Sequence, residues 1–168
     1  RYTYREFRDR VRQLAYALAK AGIKRGDTVA ILAANSPALL EAHYAVPMLG
    51  AVLNPINIRL DAPLIAFCLE HGEAKLFLAD REFHATIAPA LERLGSRRPI
   101  VVDIADAETT GAPAFGGIEY EAFIAAGDPQ YRPKTSKGEG GWTLRAAMRT
   151  RVYWGLAQLF FCTATAMF

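Results

Sequence analysis

Leu49-Gly50-Ala51-Val52-Leu53-Asn54-Pro55-Ile56-Asn57-Ile58-Arg59-Leu60-Asp61 is the stretch whose reading decides the fold. Gly50 lets the preceding helix stop, since without a Cβ it takes positive φ at no steric cost. Ala51–Leu53 is a short apolar run with β character. Asn54-Pro55 ends that strand, because proline brings no amide donor to a ladder. Asp61 then caps a new helix with Pro63 in its first turn. One segment closes a helix, lays a strand and opens the next helix.

The same alternation runs outward on both sides. Upstream, Thr3-Tyr4-Arg5-Glu6 has capping-box form, and Phe7, Val11, Leu14, Ala15 and Leu18 fall on one helical face before Gly22. Val29–Leu32 is apolar on both faces, as in a buried parallel strand. Ser36-Pro37 opens a helix that carries Leu40, Tyr44 and Met48 to Gly50, with Pro47 bending its last turn. Downstream, Leu64–Leu69 reads as a short helix, Lys75–Ala79 as a strand, Phe83–Leu94 as a helix and Pro99–Asp103 as a strand. Residues 104–119 read as a polar, Gly-rich loop, and Glu119–Ala126 as a short helix. Strands alternating with helices of about ten residues predict βαβ units with right-handed crossovers. The expected fold is α/β: a doubly wound, mainly parallel sheet of about four strands with helices on both faces.

Composition fits that frame. The chain has 168 residues, 52% hydrophobic and 22% charged, which excludes a disordered class. A net charge of +3 implies no nucleic-acid or membrane partner, but the charge is uneven. Residues 1–128 hold 14 basic and 16 acidic residues; residues 129–151 hold six basic residues against Glu139 alone; residues 152–168 carry none. Two domains are therefore expected, an α/β unit over 1–128 and a divergent basic linker with an apolar helix over 129–168. Cys68 and Cys162 are far apart without metal spacing, which suggests free thiols in a reducing compartment; a cytoplasmic protein is expected. The opening Arg1-Tyr2-Thr3-Tyr4 has no initiator Met and reads as a cut into something longer.

Several motifs together carry a resemblance. Tyr2-Thr3-Tyr4-Arg5-Glu6-Phe7 resembles the first core motif of the adenylate-forming (AMP-binding) enzymes, and Leu49–Ile56 resembles their second. Gly22–Ala30 and Asn35-Ser36-Pro37 resemble the family's intervening linker and strand–helix turn. Asn57–Asp61 and His71-Gly72-Glu73-Ala74-Lys75 resemble the fatty-acyl-CoA synthetase branch. The resemblance spans residues 1–128 as an ordered set. It implies a parent reaction in which ATP, with Mg²⁺, and a carboxylic acid give an acyl-adenylate, which coenzyme A then converts to a thioester.

The family's phosphate loop should follow residue 128, and here the sequence departs. Thr135, Ser136, Gly138, Gly140 and Gly141 are the candidate remnant of a loop whose amides and hydroxyls cradle phosphate. The second Thr pair and the Pro-Lys-Gly are absent, and Glu139 places an anion where phosphate belongs. A flexible Gly-rich linker is the preferred reading. A frameshift, misjoined gene model or deletion would produce such a break, and reading the coding DNA in all three frames tests that. The segments that hold adenine and Mg²⁺ and the C-terminal domain with its catalytic lysine are not found. The expected product is an N-terminal piece without activity and without productively bound cofactors; no catalytic or metal-ligating residue is assigned. The alternatives are a nucleotide- or acyl-binding module that does not turn its ligand over, or a membrane-associated protein that uses the apolar helix 152–168.

The remaining candidates have plain readings. His43, His71 and His84 lack metal-ligand spacing and read as surface or helix-end histidines. Arg59, beside Asn54 and Asn57, reads as a salt-bridge partner of Asp61 or Glu70 in preference to a cleft residue. Cys68 reads as packing, and the basic run Arg132–Arg151 as a solvated face. Val152–Phe168 is 17 residues without charge, short for a membrane span of about twenty. It reads as a core helix whose apolar surface, if exposed, drives self-association.

Overall fold

The computed structural model of the chain describes residues 2–105 and 112–133. Its elements are α1 (Tyr4–Lys20), β1 (Thr28–Leu32), α2 (Pro37–Met48), β2 (Val52–Pro55), α3 (Ala62–His71), β3 (Ala74–Asp80), α4 (His84–Leu94), β4 (Ile100–Ile104), β5 (Ile118–Glu119) and α5 (Tyr120–Ala125). The strands form one sheet in the order β2-β1-β3-β4-β5, with every neighbouring pair parallel. The doubly wound parallel architecture expected from the sequence is the one observed. The sheet has one strand more than expected: β5, two residues long, falls at the end of the stretch read as loop.

Strand alternation divides the core into two. Val29, Ile31, Leu76, Leu78 and Val102 face one side and pack on Val11, Leu14 and Leu18 of α1, Ala42 and Val46 of α2, and Ile124 of α5. Ala30, Leu32, Phe77, Ala79 and Val101 face the other side and pack on Ile65 and Leu69 of α3 and Ile87 and Leu91 of α4. Both faces of the central strands are covered, which is why their sequences are apolar throughout.

Local chemistry sets the element ends as expected. Thr3 and Glu6 form a reciprocal capping box, with the Thr3 amide donating to Glu6 Oε2 at 2.7 Å and the Glu6 amide to Thr3 Oγ1 at 3.3 Å. Asp61 Oδ1 accepts from the Leu64 amide at 3.0 Å. Gly50 has φ +71°, closing α2 before β2. The strand runs through Pro55 rather than ending before it. The Val52 and Ile56 amides donate to β1-side carbonyls, of Asp27 and Ile31, at 2.8 and 2.7 Å. By alternation Pro55 stands where an amide would face outward from an edge strand, so its missing donor costs nothing.

One sequence-level emphasis is reversed. Leu40, Tyr44 and Met48 lie on the outer side of α2, and the helix instead buries Ala38, Glu41, Ala42, Ala45 and Val46. Small side chains let α2 seat closely on α1 and the sheet, leaving the bulky row outside.

Candidate functional site

The chain leaves β1 for β2 with α2 on one face and returns past β1 to β3 with α3 on the other. The crossover direction therefore reverses between β1 and β3. In open α/β sheets the crevice outside the carboxyl ends of the strands at such a point is where ligands bind. Here Asp80, the last residue of β3, is buried; its Oδ2 accepts from the Ala34 amide at 3.3 Å and its Oδ1 from the Glu82 amide at 3.0 Å. Both carboxylate oxygens are thus engaged in tying together the loops that follow β1 and β3. Beside it, the buried Asp103 of β4 accepts on Oδ2 from Arg81 Nη2 at 3.3 Å and from the Phe115 amide at 3.2 Å.

A second carboxylate-centred cluster underlies the same edge. Glu41 is 0% exposed. It accepts from Arg10 Nε at 2.6 Å and from the Tyr120 hydroxyl at 2.6 Å. Arg10 also donates to Glu121 at 2.9 and 2.6 Å, and the Tyr2 ring lies over its guanidinium at 5.0 Å. The hydrogen bonds from Arg10 to Glu121 and Glu41 push its pKa further up, so its charge is permanent. Burial, then the neighbouring Glu41 charge, pushes the Tyr120 phenol well above its ordinary value. One fully buried carboxylate thereby joins α1, α2 and α5.

Over this cluster opens a groove of about 1030 Å³ between the start of α1 and α2. Tyr2, Tyr4, Phe7, Pro37, Leu40 and Tyr44 give it an apolar, aromatic wall, and Phe7 and Tyr44 meet edge to face at 5.5 Å. Asn35, Ser36 and His43 supply its polar groups. His43 Nδ1 lies 2.7 Å from the Leu39 carbonyl oxygen. A carbonyl only accepts, so Nδ1 carries the proton.

The remnant loop residues Thr135, Ser136, Gly138, Gly140 and Gly141 lie outside the described residues, as do the Arg132–Arg151 run beyond Pro133 and the apolar stretch 152–168. Arg59 is exposed in the loop after β2, its amide donating to Asn57 Oδ1 at 2.9 Å. The two carboxylates expected to pair with it are otherwise engaged: Asp61 caps α3 and Glu70 pairs with Arg97. His71 stacks on Phe67 and His84 on Phe115, at separate places. Cys68 is partly buried against the second core. Among the described residues no group of three or more His, Cys, Asp or Glu side chains is placed to hold a metal ion, and no helix is long and apolar enough to cross a membrane.

The sequence reading passed over Arg10, Glu41, Tyr120, Asp80 and Asp103. A signal existed for three of them. Glu41 is the single acidic residue in the mostly apolar Pro37–Met48, and Asp80 and Asp103 stand at or near the ends of apolar strand runs. Chemically, the edge is built to hold loops and helices in place. Arg10 and Arg81 are bound to carboxylates, and Arg59 is exposed in the loop that follows β2.

Comparison with known proteins agrees with the architecture. Residues 1–137 match the family model of the AMP-binding enzymes. The chain is 47% identical over 143 residues to the peroxisomal acetate/butyrate–CoA ligase of Arabidopsis thaliana, covering 77% of this chain and 25% of that protein. It is 42% identical over 149 residues to an acetate–CoA ligase of Humulus lupulus, covering 82% of this chain and 26% of that one. The chain thus spans about a quarter of the length of these relatives. The crystal structure of an anthranilate CoA ligase in complex with anthranoyl-AMP superposes with a TM-score of 0.69 over 78% of this chain and 24% of that chain, at 21% identity, and so shares the fold. The ordered motifs, the parallel sheet and the match over residues 1–137 together make this chain a member of the AMP-binding enzyme family.

Proposed function

We propose that this chain is an N-terminal α/β portion of an acyl-CoA synthetase, a framework for ATP-dependent thioesterification of a small carboxylic acid that does not itself carry out the reaction. In that parent reaction ATP, with Mg²⁺, activates the acid and coenzyme A takes up the acyl group. The acid is a small carboxylic acid in this reading, since relatives are named for acetate and butyrate and another for benzoate. The peroxisomal relative gives the peroxisome equal standing with the cytoplasm as a compartment. Residues 1–128 form the α/β unit in this reading, and 129–168 a divergent tail.

The observation that carries the proposal is where the family match stops. It begins at residue 1 and ends at residue 137, inside the Gly-rich stretch read from the sequence as the remnant of the phosphate loop, two residues before Glu139. Inactivity is supported by the carboxyl edge of the sheet, where Asp80 is held by backbone amides, Asp103 accepts from Arg81 and the Phe115 amide, and Arg10 is held by Glu41 and Glu121. Catalysis of phosphoryl chemistry needs preorganised cations or donors aimed at developing charge. Equilibrium titration of the 168-residue chain with ATP and Mg²⁺ tests the reading. No saturable binding is expected up to millimolar nucleotide; a saturable isotherm restores the nucleotide-binding module and overturns it.

A further inference from the structure

Phe115 is pinned. It is buried, its amide donates to Asp103 Oδ2 at 3.2 Å, its carbonyl accepts from Arg98 Nη2 at 2.9 Å, and its ring stacks on His84. Gly116 and Gly117 follow, both exposed, with Gly116 at φ +82°. Residues 118–131 then supply the edge strand β5, paired with β4 over two residues, and run across to α1 as a strap. Along it the Tyr120 hydroxyl donates to Glu41, and Glu121 takes hydrogen bonds from two nitrogens of Arg10. Further on, Gly127 rests on the Gln13 backbone, and the Tyr131 ring meets Tyr16 edge to face at 5.3 Å.

The charges are divided so that this segment can leave. A buried charge stripped of its partner is what opposes the lifting of a segment from a core. Arg10 and Glu41 belong to α1 and α2 and hold each other at 2.6 Å, a pair that needs nothing from residues 118–131. The strap brings a phenol, which water can satisfy, and the Glu121 carboxylate, whose side chain is already 57% exposed. Its departure strands no charge on either side. We propose that residues 118–131 form a hinged strap that lifts as one unit about Gly116-Gly117 while β1–β4 and α1–α4 stay folded, with the Arg10–Glu121 pair as its latch. The glycine pair absorbs the backbone rotation, and Phe115 stays behind with β4. Lifting bares Tyr120, Phe123 and Ile124 and the part of the first core they cover, so the closed form dominates and the open one is a minor state. The latch is ionic and lies at the surface, so salt weakens it.

Native-state hydrogen exchange of the 168-residue chain, followed residue by residue in low urea, tests it. The amides of Phe123, Ile124 and Gly127 should share one opening constant, about a hundredfold or more above that of Ile31 in β1 and Leu78 in β3. That constant should rise with urea, because a unit that lifts exposes surface. The Phe115 amide, on the fixed side of the pivot, should exchange with the sheet. Glu121→Gln should raise the opening constant of the strap about fivefold, as loss of an exposed ion pair does, and leave Ile31 and Leu78 unchanged. Salt at about 0.5 M should reproduce that rise in the wild type and add nothing in the variant. A strap that opens no more often than β1 and β3, three amides with separate and urea-independent constants, or a Phe115 amide that opens with α5 overturns the proposal. So does a Glu121→Gln variant that changes nothing, or that speeds the strap and the sheet alike.

Discussion

Glu41 shows how much a single side chain can decide. It is fully buried, and its oxygens take up Arg10 and the Tyr120 hydroxyl. Removing one partner of a buried pair strands the other, which costs more than the pair contributes. Glu41→Ala should therefore destabilise the chain by about 3 kcal/mol in urea melts. Tyr120→Phe leaves Arg10 on Glu41 and should cost about 2 kcal/mol, as for one hydrogen bond to a charge. The double variant should cost less than the two combined, because they share one node. At the surface, Thr3→Ala removes the cap of α1 and should cost about 1 kcal/mol. The same cap sets an acid response. The Thr3 amide and then its hydroxyl hold the Glu6 carboxyl below its ordinary value near 4.5. Lys75, with the Lys24 amide, holds Asp27 below 3.8. Both carboxyls are depressed in the folded state, so their contribution is complete above those values and is lost as pH falls through the lower folded ones. The stability gap between wild type and Glu6→Gln should be open at pH 7 and close as pH drops below 4.5; a gap that persists at pH 2 contradicts the assignment.

At the scale of elements, most of what the sequence made legible came from chemistry within a few residues. Thr3/Glu6, Ser36-Pro37 and Asp61/Pro63 open helices as expected. The long apolar runs became the central strands β1, β3 and β4. What was illegible depends on contacts distant in sequence. β5 is two residues held only by pairing with Val102 and Asp103, and a pair of residues has no periodicity to read. The packed side of α2 is its alanine side, because close approach to α1 favours small residues, whereas a search for bulky apolar residues selects Leu40, Tyr44 and Met48. The Glu41 cluster spans residues 10 to 121 and has no local motif. Two glycines test element placement. Gly50→Ala puts a side chain at φ +71° against Arg25 and should cost about 1 kcal/mol or more. Gly127 lies so close to the Gln13 backbone that a Cβ would overlap it. Gly127→Ala should therefore loosen α5 from α1 and cost about 1–3 kcal/mol. Amide hydrogen exchange should rise in α5 and stay unchanged in α4.

For the whole molecule, a parallel sheet in the order β2-β1-β3-β4-β5 with a separate core on each face holds the fold together. Phe77 is the largest fully buried side chain and stands at the centre of the second core. Phe77→Ala should cost about 4 kcal/mol, with α3 and α4 losing protection before α1 and α2. Stability thus resides in the sheet and its two helical layers, whereas the proposed lack of activity rests on reading the Gly-rich stretch beyond residue 134 as an altered phosphate loop. The separation of framework from reaction is tested most directly by acid-dependent pyrophosphate release from ATP, measured with the 168-residue chain, Mg²⁺, coenzyme A and either acetate or butyrate. The account predicts release no greater than in the enzyme-free blank with either acid. Release that depends on the chain and saturates with the acid would contradict it.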